Sequence, residues 1–138
     1  MRNRKLSSAL VLGLGLLTSA LASAAGFDGR SNLTCAVMDV VACTEGPTCL
    51  QGSAKTFDLP VFLFVDFKAK VVRGTNEDGG KEVSPVKNSE TTEAQILLQG
   101  IEDHRGWSLA IDRRTGQLNL SSSGADVSFM LSGACTAS

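Results

Sequence analysis

From residue 94 to the C-terminus, apolar and polar positions alternate along the chain. Trp107, Leu109 and Ile111 alternate with Ser108, Ala110 and Asp112. Leu118 and Leu120 alternate with Gln117, Asn119 and Ser121, and Val127, Phe129 and Leu131 with Ser128, Met130 and Ser132. Successive strand side chains point to opposite faces, so each run predicts a strand with one buried face. Turn chemistry separates the runs: Asp103-His104-Arg105-Gly106, then Arg113-Arg114-Thr115-Gly116, then Ser122 to Ala125. Gly116 suits a left-handed bulge position, and Asp112 is placed to cap its own turn. Counting on by twos from Leu131 reaches Gly133 and Cys135, which puts Cys135 on the buried face. Ala94 to Glu102 predicts one further strand of this group.

The first half is less regular. Leu33 to Val41 predicts a first strand; a short helix is the alternative, because Leu33, Val37 and Val41 are spaced four apart. Gln51 to Thr56 reads as a polar connector. Phe57 to Phe67 predicts a strand, since Pro60 and the β-branched and aromatic content disfavour a helix. Phe62 and Phe64 fall on one face of it, and Val61, Leu63, Val65 and Phe67 on the other. Either both faces are buried, or one is offered to a ligand or partner; Phe62, Phe64 and Asp66 make up that candidate binding face. Pro60, Asp66 and Lys68 serve as gatekeepers against aggregation. Lys70 to Thr75 predicts a strand and Asn76 to Gly80 a turn whose two glycines can take positive φ. Glu82 to Lys87 predicts an edge strand, because Pro85 cannot donate to a ladder, and 88–93 a polar loop.

About eight short strands with frequent turns specify an all-β fold. The expectation is one antiparallel meander closed into a small barrel, with a β-sandwich as the alternative. A barrel also removes exposed strand edges.

The N-terminus follows a different pattern. Arg2, Arg4 and Lys5 precede an uncharged apolar run, Ala9 to Leu17, and Ala22-Ser23-Ala24 follows. A basic start, a short apolar stretch and small residues at the expected cleavage point predict a secretion signal over 1–24, cut between Ala24 and Ala25. A membrane anchor would need roughly 20 predominantly apolar residues. Residues 25–32 then read as a flexible leader and 33–138 as a single β domain. Without its signal the chain keeps ten Lys and Arg against fourteen Asp and Glu, a formal charge of −4. It has no basic face for nucleic acid or for an anionic membrane surface.

All four cysteines, Cys35, Cys43, Cys49 and Cys135, lie beyond the signal. An even count in a small exported domain predicts two disulfides. Four cysteines allow three pairings; Cys43–Cys49, which would close a segment with turn chemistry, and Cys35–Cys135, which would tie the start of the domain to its end, are the favoured ones. The five-residue gap between Cys43 and Cys49 fits neither a zinc site nor a C-x-x-C redox motif.

Candidate chemistry is sparse. His104 is the sole histidine and sits in a polar turn. No Gly-x-Ser-x-Gly elbow accompanies it. Asp58, Asp66 and Asp112 could form a carboxylate pair, yet the chain has one tryptophan and no tyrosine to grip a sugar. Trp107 reads as core. The sequence calls for no cofactor and no metal.

Leu97-Leu98-Gln99-Gly100-Ile101-Glu102, Gly106 to Asp112, Thr115-Gly116, Gly133-Ala134-Cys135 and the three upstream cysteines together resemble a family of small exported proteobacterial proteins. The resemblance implies a periplasmic home and no mechanism, since no activity is attached to that family. Periplasmic lysozyme inhibitors are similar in architecture; their Ser-Gly-x-x-Tyr loop is matched at Ser123-Gly124 but departs at Val127. The resulting expectation is an exported, periplasmic or extracellular, non-catalytic protein-binding or inhibitor-like module. A carrier with a cavity for a small apolar ligand is the alternative, and a hydrolase the last choice. The partner is accordingly a protein or a small apolar ligand of the cell envelope.

Overall fold

The computed structural model describes residues 27–44 and 48–138. The expected signal over 1–24 and its cleavage point at Ala24 and Ala25 lie outside the described residues. Nine strands follow in order: β1 (Leu33–Thr44), β2 (Cys49–Gly52), β3 (Phe62–Asp66), β4 (Val71–Thr75), β5 (Lys81–Thr91), β6 (Gln95–Glu102), β7 (Arg105–Asp112), β8 (Gln117–Ser123) and β9 (Val127–Ala137). All neighbours are antiparallel, and β3 to β9 pair in sequence order. β1 pairs with β9 along its length, which closes an eight-stranded barrel. On its other edge, β1 pairs first with β3 and then with the short β2. The expected meander and barrel are therefore present.

Five local readings change. β5 is not an edge strand, because β4 and β6 pair with it on either side. Its ladder with β6 begins at Val86 opposite Gly100, and the Val86 N–H turns to Lys70 of the β4 side. Pro85 thus lies just outside the β6 ladder, where its missing N–H removes no rung. A bulge at Lys87 then lets β5 run on through the expected loop at 88–93 as far as Thr91. The strand expected from Phe57 is shorter and starts at Phe62. A single 3-10 turn, Lys55–Phe57, precedes it, and Asp58 takes a left-handed φ of 53° that no strand continues through. The expected connector over Gln51 to Thr56 contains the end of β2 and the start of this turn, and β1 runs past Val41 to Thr44.

The bulge in β1 matters for its inner face. Val37 opposes Gly133 and Asp39 opposes Ser132, so Met38 is the extra residue. Leu33 and Cys35 point inward before it, and Val40 and Ala42 after it. A plain alternation would have turned Val40 and Ala42 to solvent. The main core fills one end of the barrel with Leu33, Val65, Ile96, Ile111, Leu118 and the Cys35–Cys135 bond. Trp107 is also buried in this core, as expected.

Both disulfides pair as favoured, and both join residues directly opposed on neighbouring strands. Cys35–Cys135 links β1 to β9 inside the barrel, while Cys43–Cys49 links β1 to β2. Residues 27–32, expected as a loose leader, are tied to the filled end. The Arg113 Nε–H donates to the Phe27 carbonyl at 2.8 Å, and the Phe27 ring packs on the core. That ring lies against Gly116, whose φ is +74°; a Cβ there would meet Phe27 Cζ at 2.3 Å.

Asp112 caps its turn as expected. One carboxylate oxygen accepts the backbone N–H groups of Arg114 and Thr115, at 2.9 and 2.7 Å, and the Thr115 hydroxyl at 2.9 Å. The Thr115 backbone bond, helped by its hydroxyl and by Arg114, holds this carboxyl below the ordinary aspartate value. Asp28 is lowered in the same way by Ser31 and Arg30. A lowered folded pKa gives stability that is fully present above the unfolded value and is lost as pH falls through the folded one. Stability followed by circular dichroism should therefore begin to fall as pH drops through the ordinary aspartate range and go on falling below it. Asp112→Ala should narrow the difference in stability between neutral and acid pH; an unchanged pH profile would contradict this role.

Candidate functional site

The end of the barrel opposite Phe27 is open. Its cavity of about 400 Å³ has a floor and walls formed by Leu63, Val72, Trp107, Leu120 and Leu131. Sequence spacing explains why the space exists. The inward position of β5 at this end holds Ser84, which leaves room that Leu and Ile fill at the other end, while the space over Gly74 on β4 is taken by the Pro60 ring, 2.5 Å from where a Cβ would lie. The segment from Ala54 to Pro60 forms one wall. Ala54 packs with Val40 and Leu131 beneath it, and Phe57 and Leu59 join them. Phe57 meets Phe129 edge-on at 6.3 Å between ring centres.

Trp107 sits at the base. Its Nε1–H donates to Ser84 Oγ at 2.7 Å, and Ser84 is 5% exposed. This bond satisfies the buried indole. With its oxygen accepting from Trp107, the Ser84 hydroxyl on the cavity wall keeps the capacity to donate.

The rim is polar and mostly acidic. Asp58, Glu82, Glu102 and Asp103 line the mouth together with Arg105. Glu82 occupies the inward position of β5 one step above Ser84. Partial desolvation raises its pKa first, and the charges of Glu102, Asp103 and Asp58 raise it further. Among the described residues, none of the four carboxylates forms an ion pair. The nearby cations are otherwise engaged. Lys55 pairs with Glu77 at 2.8 Å, and Arg105 reaches Asp126 at 3.8 Å and lies over the Phe129 ring. Asp103 and His104 form the two-residue loop between β6 and β7, both with positive φ, 45° and 64°. This is the twist that a tight hairpin demands.

The candidate face read from the sequence lies elsewhere. Phe62, Phe64 and Asp66 are on the outside of the barrel, while Leu63 and Val65 point in. Phe62 is 52% exposed. Asp66 is engaged: it accepts the Ala69 N–H at 2.8 Å and pairs with Arg73 at 3.2 Å. The Ala69 bond, then Arg73, holds its carboxyl below the ordinary value. The Arg73 guanidinium also lies over the Phe64 ring at 5.8 Å. Of the three aspartates weighed for a carboxylate pair, Asp58 lines the cavity; Asp66 and Asp112 do not. His104 is exposed at the hairpin tip.

Comparison with protein-family models and with curated proteins finds no match to this chain. Its two disulfides accord with an oxidising compartment. Among the described residues, no helix is long and apolar enough to cross a membrane.

Proposed function

We propose that this protein is an exported carrier that binds one small, largely apolar molecule in the open end of its barrel. The observation that carries the reading is the cavity of about 400 Å³ over Trp107, Leu120 and Leu131. Ligand sites span about 300 to 1,000 Å³ and combine apolar walls with a few placed polar groups. Eight-stranded barrels are just wide enough to be filled by side chains or to hold one small ligand. Here both solutions share one barrel: Phe27 and the main core fill one end, and the other, with the small Ser84 on its wall, stays open. The basic and apolar start of the chain and the oxidised cysteines support export to the periplasm or beyond. The resemblance to small exported proteobacterial proteins points the same way.

Action through Phe62, Phe64 and Asp66 as a protein-binding module has a narrower base, because Asp66 and Arg73 are already spent on each other and on Phe64. Native mass spectrometry separates the two readings. Protein purified unreduced from the cells that make it should carry extra mass that denaturation releases. Leu131→Trp, which fills the cavity, should come without it. A bare wild-type protein that also takes up no apolar dye would defeat the carrier reading and shift weight to the outer face.

A further inference from the structure

We infer that the cavity selects a small amphiphilic amine, with its ammonium among the rim carboxylates and a hydrogen-bond acceptor at its deep end, facing Ser84. The inference rests on the carrier reading and adds the class of ligand. Two independent features meet here. At the mouth, Asp58, Glu82, Glu102 and Asp103 stand against the single cation Arg105 and form no ion pair among the described residues, which leaves the rim with an excess of negative charge. Below them, Ser84 is a buried polar side chain on the cavity wall, with its oxygen used by Trp107 and its proton unspent. The Ser84 hydroxyl accepts from Trp107 and can still donate, so a ligand acceptor placed there gains one hydrogen bond. Glu82 and Ser84 are successive inward positions of one strand, and two strand residues span about 7 Å. A ligand that engages both therefore carries its cationic nitrogen and its acceptor about that far apart, with an apolar body between them against Leu63, Val72 and Leu120. An anionic ligand meets repulsion at the mouth. A neutral one leaves the carboxylates without a counter-charge.

Three probes of nearly equal shape test this on the unmodified full protein by calorimetry: tyramine, its alcohol counterpart tyrosol, and phenethylamine, which lacks the phenol oxygen. Tyramine should bind tightest. Tyrosol should bind about tenfold more weakly or worse, since a hydrogen bond to a charged group is worth roughly 1.5 to 3 kcal/mol. Phenethylamine should lose about fivefold, the yield of one neutral hydrogen bond. Glu82→Gln should shrink the gap between tyramine and tyrosol, and Ser84→Ala the gap between tyramine and phenethylamine. Equal binding of tyramine and tyrosol overturns the amine and leaves the carrier standing. Equal binding of tyramine and phenethylamine overturns the role of Ser84. If none of the three binds while apolar dye does, the amine class is wrong; if dye fails too, the carrier reading falls and this inference with it.

Discussion

Replacing Cys35 and Cys135 together by alanine should lower the folding stability by about 4 to 5 kcal/mol, a large share of the roughly 5 to 15 kcal/mol that holds an ordinary domain together. The bond joins residues 100 apart in sequence, so in the chain-entropy model its loss frees almost the whole domain in the unfolded state. It also lies in the core, where Cys35 is 0% exposed and Cys135 5%, so two alanines leave unfilled space beside Leu33 and Leu118 as well. The second bond offers an internal control. Cys43 and Cys49 are six apart, and the same model assigns that short loop only about 2 kcal/mol. Urea unfolding of the two double variants, each kept oxidised, makes the comparison. The expected order is wild type, then the Cys43/Cys49 variant, then the Cys35/Cys135 variant, the last unfolding at low urea. Equal losses would mean that β1 and β9 close the barrel by their hydrogen bonds and packing alone, with the covalent link adding little.

Much of this architecture was legible in the sequence, for identifiable reasons. Where one strand face is core and the other solvent, period-two alternation carries the structure, and Trp107 to Asp112, Gln117 to Ser121 and Val127 to Cys135 all have that character. The inward phase of Leu131 extended by twos to Cys135, and that phase placed the disulfide. The first half was harder to read, because two bulges interrupt the count. Met38 shifts the phase of β1, and Lys87 shifts that of β5. Each swaps inside and outside from that point on, and a single extra residue has no compositional mark. Pro85 suggested an edge because a proline inside a ladder normally removes a bond; only the pairing of Val86 with Lys70 shows where its missing donor lies. The cavity leaves a fainter signal. Ser84, a small residue at an inward position with Glu82 in the same phase, marks a part of the interior that side chains do not fill. The greasiest stretch, Val61 to Phe67, gives the louder signal, yet its outward Phe64 lies under Arg73 and its inward residues belong to the core. Apolar content locates surface that wants burial; a cavity is written in the residues that are too small.

Trp107→Ala should cost about 3 to 5 kcal/mol, and its largest consequence should appear in combination with Gly100. The two residues face each other across β6 and β7. The indole lies over the glycine so closely that a Cβ at Gly100 would sit 2.3 Å from Cζ2 and 2.5 Å from Cε2. Glycine weakens a strand interior because it has nothing to pack; here the ring of the opposite residue supplies that packing. Gly100→Ala alone should therefore destabilise by about 1 to 3 kcal/mol, as overpacking does. It has to move the ring, stretch the 2.7 Å bond to Ser84 and push on the floor of the cavity. In the Trp107→Ala background most of that conflict is gone. What remains is the Pro85 carbonyl oxygen, 2.6 Å from the added carbon. The double variant should consequently be more stable than the two single losses predict when added, by about 1 kcal/mol or more, whereas independent sites add to within about 0.5 kcal/mol. Additivity within that margin would show that the Pro85 backbone, rather than the indole, is what demands glycine at 100. The cavity supplies a second reading of the same cycle. Trp107→Ala also strips Ser84 of its donor, so the bias toward a ligand with an acceptor at its deep end should weaken in that variant. Gly100→Ala, which displaces the floor and only stretches the bond to Ser84, should reduce affinity generally and weaken that bias less than Trp107→Ala does.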